Sequence, residues 1–323
     1  MNKATAVSPA NIAFIKYWGK RDSKLNIPFN DSISMNLSDC LTTTTVEFRD
    51  GLTSDEVFID GLRIEGAGWD RVRFVLDEVR RMAKIDLFAT VTSKNNFPSD
   101  AGIASSASGF SALALAASRA AGIKASQKGL SILARLGSGS ACRSIPDGFT
   151  LWKRGRSDGS SYAIQIAKPA FWDLRDIVVV VSKEKKKAGS TEGHAAAISS
   201  PYFKARLTRL PVRIKKLKQA LLKRDFEIFG RILEEEAIDL HVIAMTSKPP
   251  IFYWNKGTME VMRAVHKIRE RGIGCYFTMD AGPNVHVLCL GKDELKIKRI
   301  LGRLQDILFL IFNKAGRGAR IAA

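Results

Sequence analysis

The sequence lacks any hydrophobic run long enough to span a bilayer, and its first residues, MNKATAVSPAN, lack the apolar core of a signal peptide. We therefore expect a cytosolic protein. Cysteine is scarce, with four in 323 residues, and CxxC pairs and Cys/His clusters are missing. This pattern argues against a zinc site and against a disulfide scaffold. We expect no resident metal and four buried thiols, Cys40, Cys142, Cys275 and Cys289.

Acidic residues are few relative to basic ones, 32 against 51, which gives a formal net charge of +19. Such a field attracts nucleic acid and equally small phosphorylated metabolites. Zinc-finger, RNP-type and basic-zipper motifs are missing, and the basic runs are confined to residues 183–187, 215–218 and 314–320. We interpret most of the excess as solvated surface. For the tail NKAGRGARIAA, contact with RNA stays open as an alternative interpretation.

The length suits two domains, and a basic connector, KEKKKAGSTEG, predicts a boundary near residue 184, giving lobes 1–184 and 185–323. The first lobe reads as an antiparallel sheet with helices on one side. It includes a strand interrupted at Pro9, separate strands SISMNL and TTTTVEF, a hairpin turning at Asp60-Gly61, and a last strand DIVVVVS. Helices, the strands GCYFTM and VHVLCL, a helix and the strand ILFLIF predict an α+β second lobe whose sheet is covered on one face.

The segment 97–110, FPSDAGIASSASGF, precedes an alanine- and leucine-rich helical run at residues 111–121. A loop that turns into a helix offers free N–H groups and the positive end of the helix dipole to an anion. The segment matches neither the Walker loop nor the dinucleotide GxGxxG motif. An ordinary capped helix is the alternative. The predicted phosphate loop uses Asp100, Gly102, Ser105, Ser106 and Ser108.

Charged side chains also stand where strands or helices end. Lys16 follows an apolar strand and should be partly buried beside an anion, whereas Lys20 alone would suit a surface ion pair. Arg143 lies in the flexible loop GSGSACRS, which suits a phosphate or carboxylate but also an ordinary helix C-terminal loop. Asp280 ends a hydrophobic strand, where it either meets a cation or caps the turn.

Five segments together resemble the diphosphomevalonate decarboxylase family of the GHMP kinase superfamily, in matching order over nearly the whole chain. They are NIAFIKYWGKRDSKLNIPFNDSIS, NNFPSDAGIASSASGF, GSGSACRS, PPIFYWN and MDAGPN. The resemblance implies an α+β, two-lobed GHMP-kinase-like fold, with a ribosomal-protein-like N-terminal lobe, a ferredoxin-like C-terminal lobe and a cleft between them. It also implies a homodimer.

Family members phosphorylate the 3-hydroxyl of a 5-phosphorylated mevalonate with ATP and magnesium, and then release phosphate and CO2 to give the isopentenyl product. By motif, Asp280 corresponds to the catalytic aspartate near the 3-hydroxyl, Lys16 to the lysine that neutralises the reacting groups, and Arg143 to the carboxylate ligand. The resemblance assigns the 5-phosphate end to Tyr17, Lys20, Ser138 and Ser140, with Ser190 and Thr191 nearby.

Several positions depart from the family pattern on the nucleotide side. Asp100 replaces a small neutral residue, Pro146-Asp147-Gly148 replaces Phe-Gly-Gly, Ile238 replaces an asparagine, and Gly316-Arg317-Gly318-Ala319 replaces Gly-x-Gly-Pro. A carboxylate near ATP phosphates opposes nucleotide binding unless magnesium bridges the charges. We therefore expect an ATP-independent mevalonate 3,5-bisphosphate decarboxylase without a cofactor.

Two other functions stay open. The first is the ATP- and magnesium-dependent decarboxylase of diphosphomevalonate or phosphomevalonate. The second is a non-catalytic relative that binds RNA or an acidic partner through its basic surface. A mevalonate 3-kinase is disfavoured, because Lys16 and Asp280 serve the elimination.

Overall fold

The computed structural model describes residues 2–98, 103–184 and 188–322. An eight-stranded, mostly antiparallel sheet forms the first lobe. Its strands are β1 Lys3–Ile15, β4 Ser32–Arg49, β5 Glu56–Ile59, β6 Leu62–Arg63, β7 Phe88–Asn95, β8 Phe149–Trp152, β9 Ala163–Ala167 and β14 Arg320–Ile321. The order is β14, β1, β4, β7, β5 and β6, while β8 pairs with β4 and β9 pairs with β8. A separate small ribbon pairs β2 Lys20–Asp22 with β3 Ile27–Pro28.

Three helices pack on this sheet, namely α1 Ala67–Ala83, α2 Ser105–Ala120 and α3 Gln127–Gly137. Their apolar stripes and the inward side chains of β4, β5 and β7 form one core cluster. Helix α2 begins six residues before the predicted alanine-rich run. The buried serines Ser108, Ser111 and Ser118 donate their hydroxyls to carbonyls of the helix itself, as Ser111 does to Ala107 at 2.7 Å, so the helix accommodates them.

The predicted break in β1 is confirmed, because the pairing of β1 with β4 shifts register between Pro9 and Asn11. The predicted separation of SISMNL from TTTTVEF is wrong, since both lie in the single strand β4. The polar residues between the two segments lie at the register shift opposite Pro9. There the backbone N–H of Asp39 donates a hydrogen bond to Asn313 Oδ1 at 3.0 Å. The hairpin at Asp60-Gly61 is confirmed, with φ of 51° and 83° at the two turn residues.

The second sheet contains β11 Cys275–Thr278, β12 Val285–Leu290, β10 Leu174–Val180 and β13 Phe309–Lys314 in that order. The sequence pattern predicted this strand, DIVVVVS, as the last strand of the first lobe. That prediction is wrong, because β10 lies in the second sheet. Its partners β12 and β13 arrive much later in the chain, so local pattern could not assign it. The predicted boundary near residue 184 stays a prediction.

Both faces of the second sheet are covered, which corrects the expected single covered face. Helices α7 Lys256–Glu270 and α8 Glu294–Leu301 pack on one face. Helices α5 Phe203–Lys223 and α6 Phe226–Met245 share the core of the other face with side chains of the first lobe, including Phe14 and Ile33. A short helix, α4 Ser190–Ala196, precedes them. The two lobes therefore join through a continuous apolar layer.

The C-terminal tail is built into the first lobe and is not a free basic arm. Ala315 bridges to Leu37, and Val7 of β1 pairs with Arg320 of β14. Two segments that depart from the family pattern meet here, because the Gly318 N–H donates to Asp147 Oδ1 at 2.6 Å. A backbone hydrogen bond from the Gly148 N–H to the Gly316 carbonyl, at 2.9 Å, joins the same two segments. The tail is therefore part of the first lobe, and an RNA contact through its exposed Lys314 and Arg317 stays a prediction.

The four cysteines are free and buried, as expected. Within the described ranges, none of the helices is both long and apolar enough to cross a membrane.

Candidate active site

A cleft of about 800 Å³ opens where α1, α2, α3 and α4 approach the end of β1. Its lining contains all six residues assigned to the phosphate end of the substrate, together with two serines of the predicted phosphate loop. They are Tyr17, Lys20, Ser138, Ser140, Ser190 and Thr191, with Ser105 and Ser106. Five separate chain segments thus converge on one polar surface.

The predicted phosphate loop is only partly represented at this surface. Ser106 Oγ lies 3.2 Å from Ser138 Oγ, which ties the start of α2 to the opposite loop. Ser108 instead points into the core, where its hydroxyl lies 2.6 Å from Thr42 Oγ1 and 3.0 Å from the Ser105 carbonyl. Asp100 and Gly102 lie outside the described residues.

Lys16 and Asp280 form a partly buried ion pair, in which Lys16 is enclosed, Asp280 is partly exposed, and Lys16 Nζ lies 2.8 Å from Asp280 Oδ1. The lysine is 1% exposed and also donates to the Ala13 carbonyl at 2.7 Å. Burial lowers the pKa of Lys16, and the charge of Asp280 opposes this shift. For Asp280, burial alone would raise the pKa, but Lys16 and then His286 hold it below its usual value. The pair therefore places an ionised carboxylate and an ammonium side by side in a poorly hydrated site.

The backbone of Lys16 is held by two groups from the second lobe and by Asn30 of the first lobe. Its N–H donates to Glu236 Oε2 at 3.0 Å, and its carbonyl accepts from Arg206 Nη2 at 2.9 Å and from Asn30 Nδ2 at 3.0 Å. Glu236 is fully buried and also binds Arg213 Nη1 at 2.5 Å. Burial alone would raise the pKa of Glu236, but the two arginines hold it below its usual value.

Arg143 is buried and held by two polar side chains of the first lobe. Its Nε donates to Asn11 Oδ1 at 3.0 Å, and its Nη1 donates to Ser32 Oγ at 2.9 Å. Asn11 also donates to the Ser140 carbonyl at 3.2 Å, which links Arg143 to the cleft wall. Across the described parts of the chain, Nη2 makes no hydrogen bond. One edge of the guanidinium therefore stays available for an anion.

Lys20 and Arg71 make the outer cleft strongly cationic. Burial, and then the charge of Arg71, lower the pKa of Lys20 to about 8. Arg71 is fixed by a bond from its Nε to the Gly137 carbonyl at 2.9 Å and by stacking on Phe110 at 4.6 Å. Asp70 and Glu192 also line the cleft, but in the described parts of the chain neither Lys20 nor Arg71 forms an ion pair with a carboxylate. Two such cations favour a ligand that carries more than one negative charge.

A second cavity of about 300 Å³ adjoins the cleft and shares Arg71, Ser105 and Ser106 with it. Its deeper walls are mostly apolar, formed by Val57, Ile59, Ile64, Val72, Val91 and Leu113. Helix α2 begins beside it after Ala104, whose φ is 48°, and no side chain caps the first turn. An apolar chamber next to uncapped helix N–H groups suits a flat base with a phosphate tail.

Sequence reasoning missed three residues that shape this site, namely Asn11, His194 and Glu236. Asn11 lies inside a motif that carried the family resemblance, so that motif could have flagged it. Glu236 stands in an acidic run, EEEA, that is typical of a solvated helix face. His194 follows the basic connector and had no partner in sequence to mark it. Within the described ranges, side chains of His, Cys, Asp and Glu form no cluster of three or more suited to a metal.

The two-lobed α+β fold, with its cleft at the start of α2, is that of the GHMP kinase superfamily. The sequence matches the diphosphomevalonate decarboxylase-like N-terminal domain over residues 8–163 and the mevalonate 5-diphosphate decarboxylase C-terminal domain over residues 176–310. The chain belongs to the diphosphomevalonate decarboxylase family. The recognised fold and family are thereby confirmed, and the protein is a decarboxylase of the mevalonate pathway, a carboxy-lyase.

Individual relatives agree over the full length. The diphosphomevalonate decarboxylase of Candida albicans is 36% identical over 322 residues, covering 94% of this chain and 88% of the relative. The crystal structure of mevalonate diphosphate decarboxylase from Staphylococcus aureus has a TM-score of 0.94 at 38% identity, covering 99% of this chain and 98% of that one. A structure of MDDEF in complex with MVAPP, AMPPCP and magnesium has a TM-score of 0.93 at 35% identity, with the same coverage.

Proposed function

We propose that this protein is an ATP- and magnesium-dependent decarboxylase that converts 5-diphosphomevalonate to isopentenyl diphosphate, phosphate and CO2. The observation that carries the proposal is the pair of adjoining cavities at the start of α2, one cationic and one apolar. The MDDEF structure supports it, because that related protein is described with MVAPP, AMPPCP and magnesium together. The ATP-independent reaction expected from Asp100 has no comparable support.

The residues at the apolar cavity fit a nucleotide. The uncapped N–H groups of α2 and the hydroxyls of Ser105 and Ser106 would meet its phosphates, and Arg71 stands between the two cavities. Bound ATP and magnesium supply the phosphoryl group that turns the 3-hydroxyl of the substrate into a leaving group. Everything else in the reaction is done by side chains of this chain.

Substrate orientation follows from the charges of the site. Lys20 and the hydroxyl residues of the outer cleft bind the 5-diphosphate, and the free edge of Arg143 binds the C1 carboxylate. These two anchors place C3 beside Asp280 and Lys16. The arrangement holds the carboxylate of C1 and the leaving group on C3 in one fixed geometry, which is most of what an elimination needs.

In the elimination, the C3–O bond breaks and positive charge develops at C3. The Asp280 carboxylate stabilises that charge, and the Lys16 ammonium stabilises the departing phosphate. The electron pair of the C1–C2 bond becomes the C2–C3 double bond, and C1 leaves as CO2. Because Lys16 keeps the pKa of Asp280 low, the aspartate acts here through its charge and not as a strong base.

The proposal is tested by measuring CO2 release from three substrates. They are 5-diphosphomevalonate and 5-phosphomevalonate, each with ATP and magnesium, and mevalonate 3,5-bisphosphate without nucleotide. We expect turnover of 5-diphosphomevalonate with one ADP formed per CO2. Turnover of the bisphosphate alone would replace the proposal with the elimination-only reaction, and preference for the monophosphate would change the substrate.

We also propose that the enzyme is a homodimer, on the strength of the family resemblance carried by the five motifs. Light scattering coupled to size exclusion should give twice the chain mass of 35.6 kDa. A single-chain mass across the micromolar range would contradict the dimer.

A further inference from the structure

His194 is a cleft residue that none of the roles above uses. It lies on α4, lines the cleft, and is only 7% exposed. Its ring stacks on Tyr17 with centroids 4.1 Å apart and on Trp18 with centroids 4.8 Å apart. Two aromatic neighbours and near-complete burial fix the plane of the imidazole.

The hydrogen bonding of the ring determines where its proton lies. The backbone N–H of Gly19 donates to His194 Nδ1 at 3.0 Å, so Nδ1 is an acceptor without a proton. Burial, and then the charges of Lys20 and Arg143, hold the pKa of His194 well below its usual value. The ring is therefore neutral, and a neutral imidazole that accepts at Nδ1 carries its proton on Nε2.

This Nε2–H has no partner in the described parts of the protein. It is also not among the described side-chain atoms that are both fully enclosed and unpaired, so it reaches the cleft surface. The hydroxyl of Tyr17, against which the ring stacks, is enclosed and likewise unpaired. Two neighbouring polar groups without protein acceptors, beside the cation Lys20, indicate a place for oxyanions.

The position of His194 depends on a glycine before it. A Cβ on Gly193 would lie 2.4 Å from Trp18 Cη2, a ring carbon, and 2.6 Å from Tyr253 Oη, the phenolic oxygen, and both residues are buried. Only a residue without a side chain lets α4 approach this closely. The approach brings the imidazole onto Tyr17 and Gly19 at the cleft wall.

We infer that His194 is a substrate-binding residue whose Nε2–H donates a hydrogen bond to the phosphate oxygens at the 5-end of the substrate. The inference rests on the proposed function in that it assumes a phosphorylated substrate in this cleft. A neutral donor is suited to the position, because a further positive charge would repel Lys20 and Arg143. The imidazole adds a directed contact without adding charge.

Two amide substitutions separate binding from a structural role. In His194→Gln the amide nitrogen replaces Nε2, so the cleft donor is kept and the acceptor for Gly19 is lost. In His194→Asn the amide oxygen replaces Nδ1, so the acceptor for Gly19 is kept and the cleft donor is lost. His194→Met removes both while keeping an apolar side chain of similar length. The three proteins are compared with the unmutated enzyme for thermal midpoint, KM, kcat and the Kd of inorganic pyrophosphate.

We expect the Asn and Met variants to raise KM and the pyrophosphate Kd about tenfold, since a hydrogen bond to a charged group is lost. Their kcat should stay within about twofold, and the Gln variant should bind within about threefold of the unmutated enzyme. The reverse order, with Asn normal and Gln weakened, would overturn the inference and leave His194 as the support of Gly19. Unchanged binding in all three, or no pyrophosphate binding by the unmutated enzyme, would also overturn it.

The pyrophosphate measurement needs no turnover. If CO2 release is not found with any phosphorylated mevalonate, the proposed function fails while the order of the three Kd values still decides the role of His194.

Discussion

Glu236 of the second lobe accepts the backbone N–H of Lys16 in the first lobe, at 3.0 Å. The same carboxylate binds Arg206, and Arg206 returns a bond to the Lys16 carbonyl, so both polar atoms of this peptide segment are held by one buried ion pair. The ammonium at the other end of Lys16 contacts Asp280. The position of Lys16 is thus set by the docking of the two lobes.

Glu236→Gln tests this coupling. The substitution leaves Arg206 buried without its anion and removes one of the three carboxylates that bind Arg213. Removing one partner of a buried ion pair typically costs about 3–5 kcal/mol. We expect a lower free energy of unfolding in urea, and a kcat reduced roughly tenfold or more with a smaller change in KM, because Lys16 loses its position and the phosphate site does not. Steady-state kinetics measured at urea concentrations well below the unfolding midpoint separate the loss of kcat from the loss of stability.

Asp239→Asn is the control, since Asp239 binds the same Arg213 at 2.6 Å without touching Lys16. It should lower stability slightly and leave kcat unchanged. An unchanged kcat in Glu236→Gln would show that the network acts on stability alone, and equal kcat losses in the two variants would show that the loss does not depend on the contact with Lys16.

Much of the fold was predictable because it is encoded locally. The hairpin at Asp60-Gly61, the amphipathic helix α1 and the strands of the second lobe have clear periodicity or turn chemistry. The predictions that were wrong concern segments that pair with distant parts of the chain. Nothing in DIVVVVS indicates that its partners are residues 285–290 and 309–314, and nothing in the glycine-rich tail indicates that it returns to β1.

The candidate site shows the same limit. Lys16, Arg143 and Asp280 were found from motifs, because each sits at the end of an element with a glycine or proline turn nearby. Glu236 and His194 were missed, because their roles come from the other residues that the fold brings to them. A sequence motif identifies the type of a residue and its place in a helix, strand or loop. Tertiary contacts determine which groups its side chain meets.

Asp280→Asn should reduce kcat at least about 10³-fold, since the substitution removes the charge that stabilises C3 in the transition state. The fold should be retained, because the asparagine still accepts a hydrogen bond from Lys16 and the side chain is 24% exposed. CO2 release and thermal unfolding measure the two parts. Asp306→Asn, at an ion pair with Lys256 and with similar exposure of 29%, is the matched control and should keep full activity. Activity near normal in the Asp280 variant would remove the proposed mechanism.

Arg143→Lys keeps the positive charge but loses the fork that binds Asn11, Ser32 and a ligand at once. We expect kcat/KM to fall roughly 100-fold, because one or two hydrogen bonds to the substrate carboxylate are lost. Arg175→Lys, at an ion pair with Asp173 in the second sheet, serves as the control and should leave kcat/KM unchanged. Unaltered kinetics in both variants would mean that Arg143 does not hold the carboxylate.

Lys20 should make substrate binding sensitive to alkaline pH. Burial and Arg71 lower its pKa to about 8, so the ammonium form dominates below pH 8 and is lost as the pH rises through that value. Phosphate groups are already fully ionised there, with a second pKa of about 6, so the substrate itself does not change. We therefore expect kcat/KM to decrease above about pH 8 through a rise in KM. In Lys20→Arg the charge persists to much higher pH, and the alkaline limb should move upward by more than one pH unit. A limb that stays near pH 8 in the arginine variant would assign the titration to another group, with Lys16 the first to test.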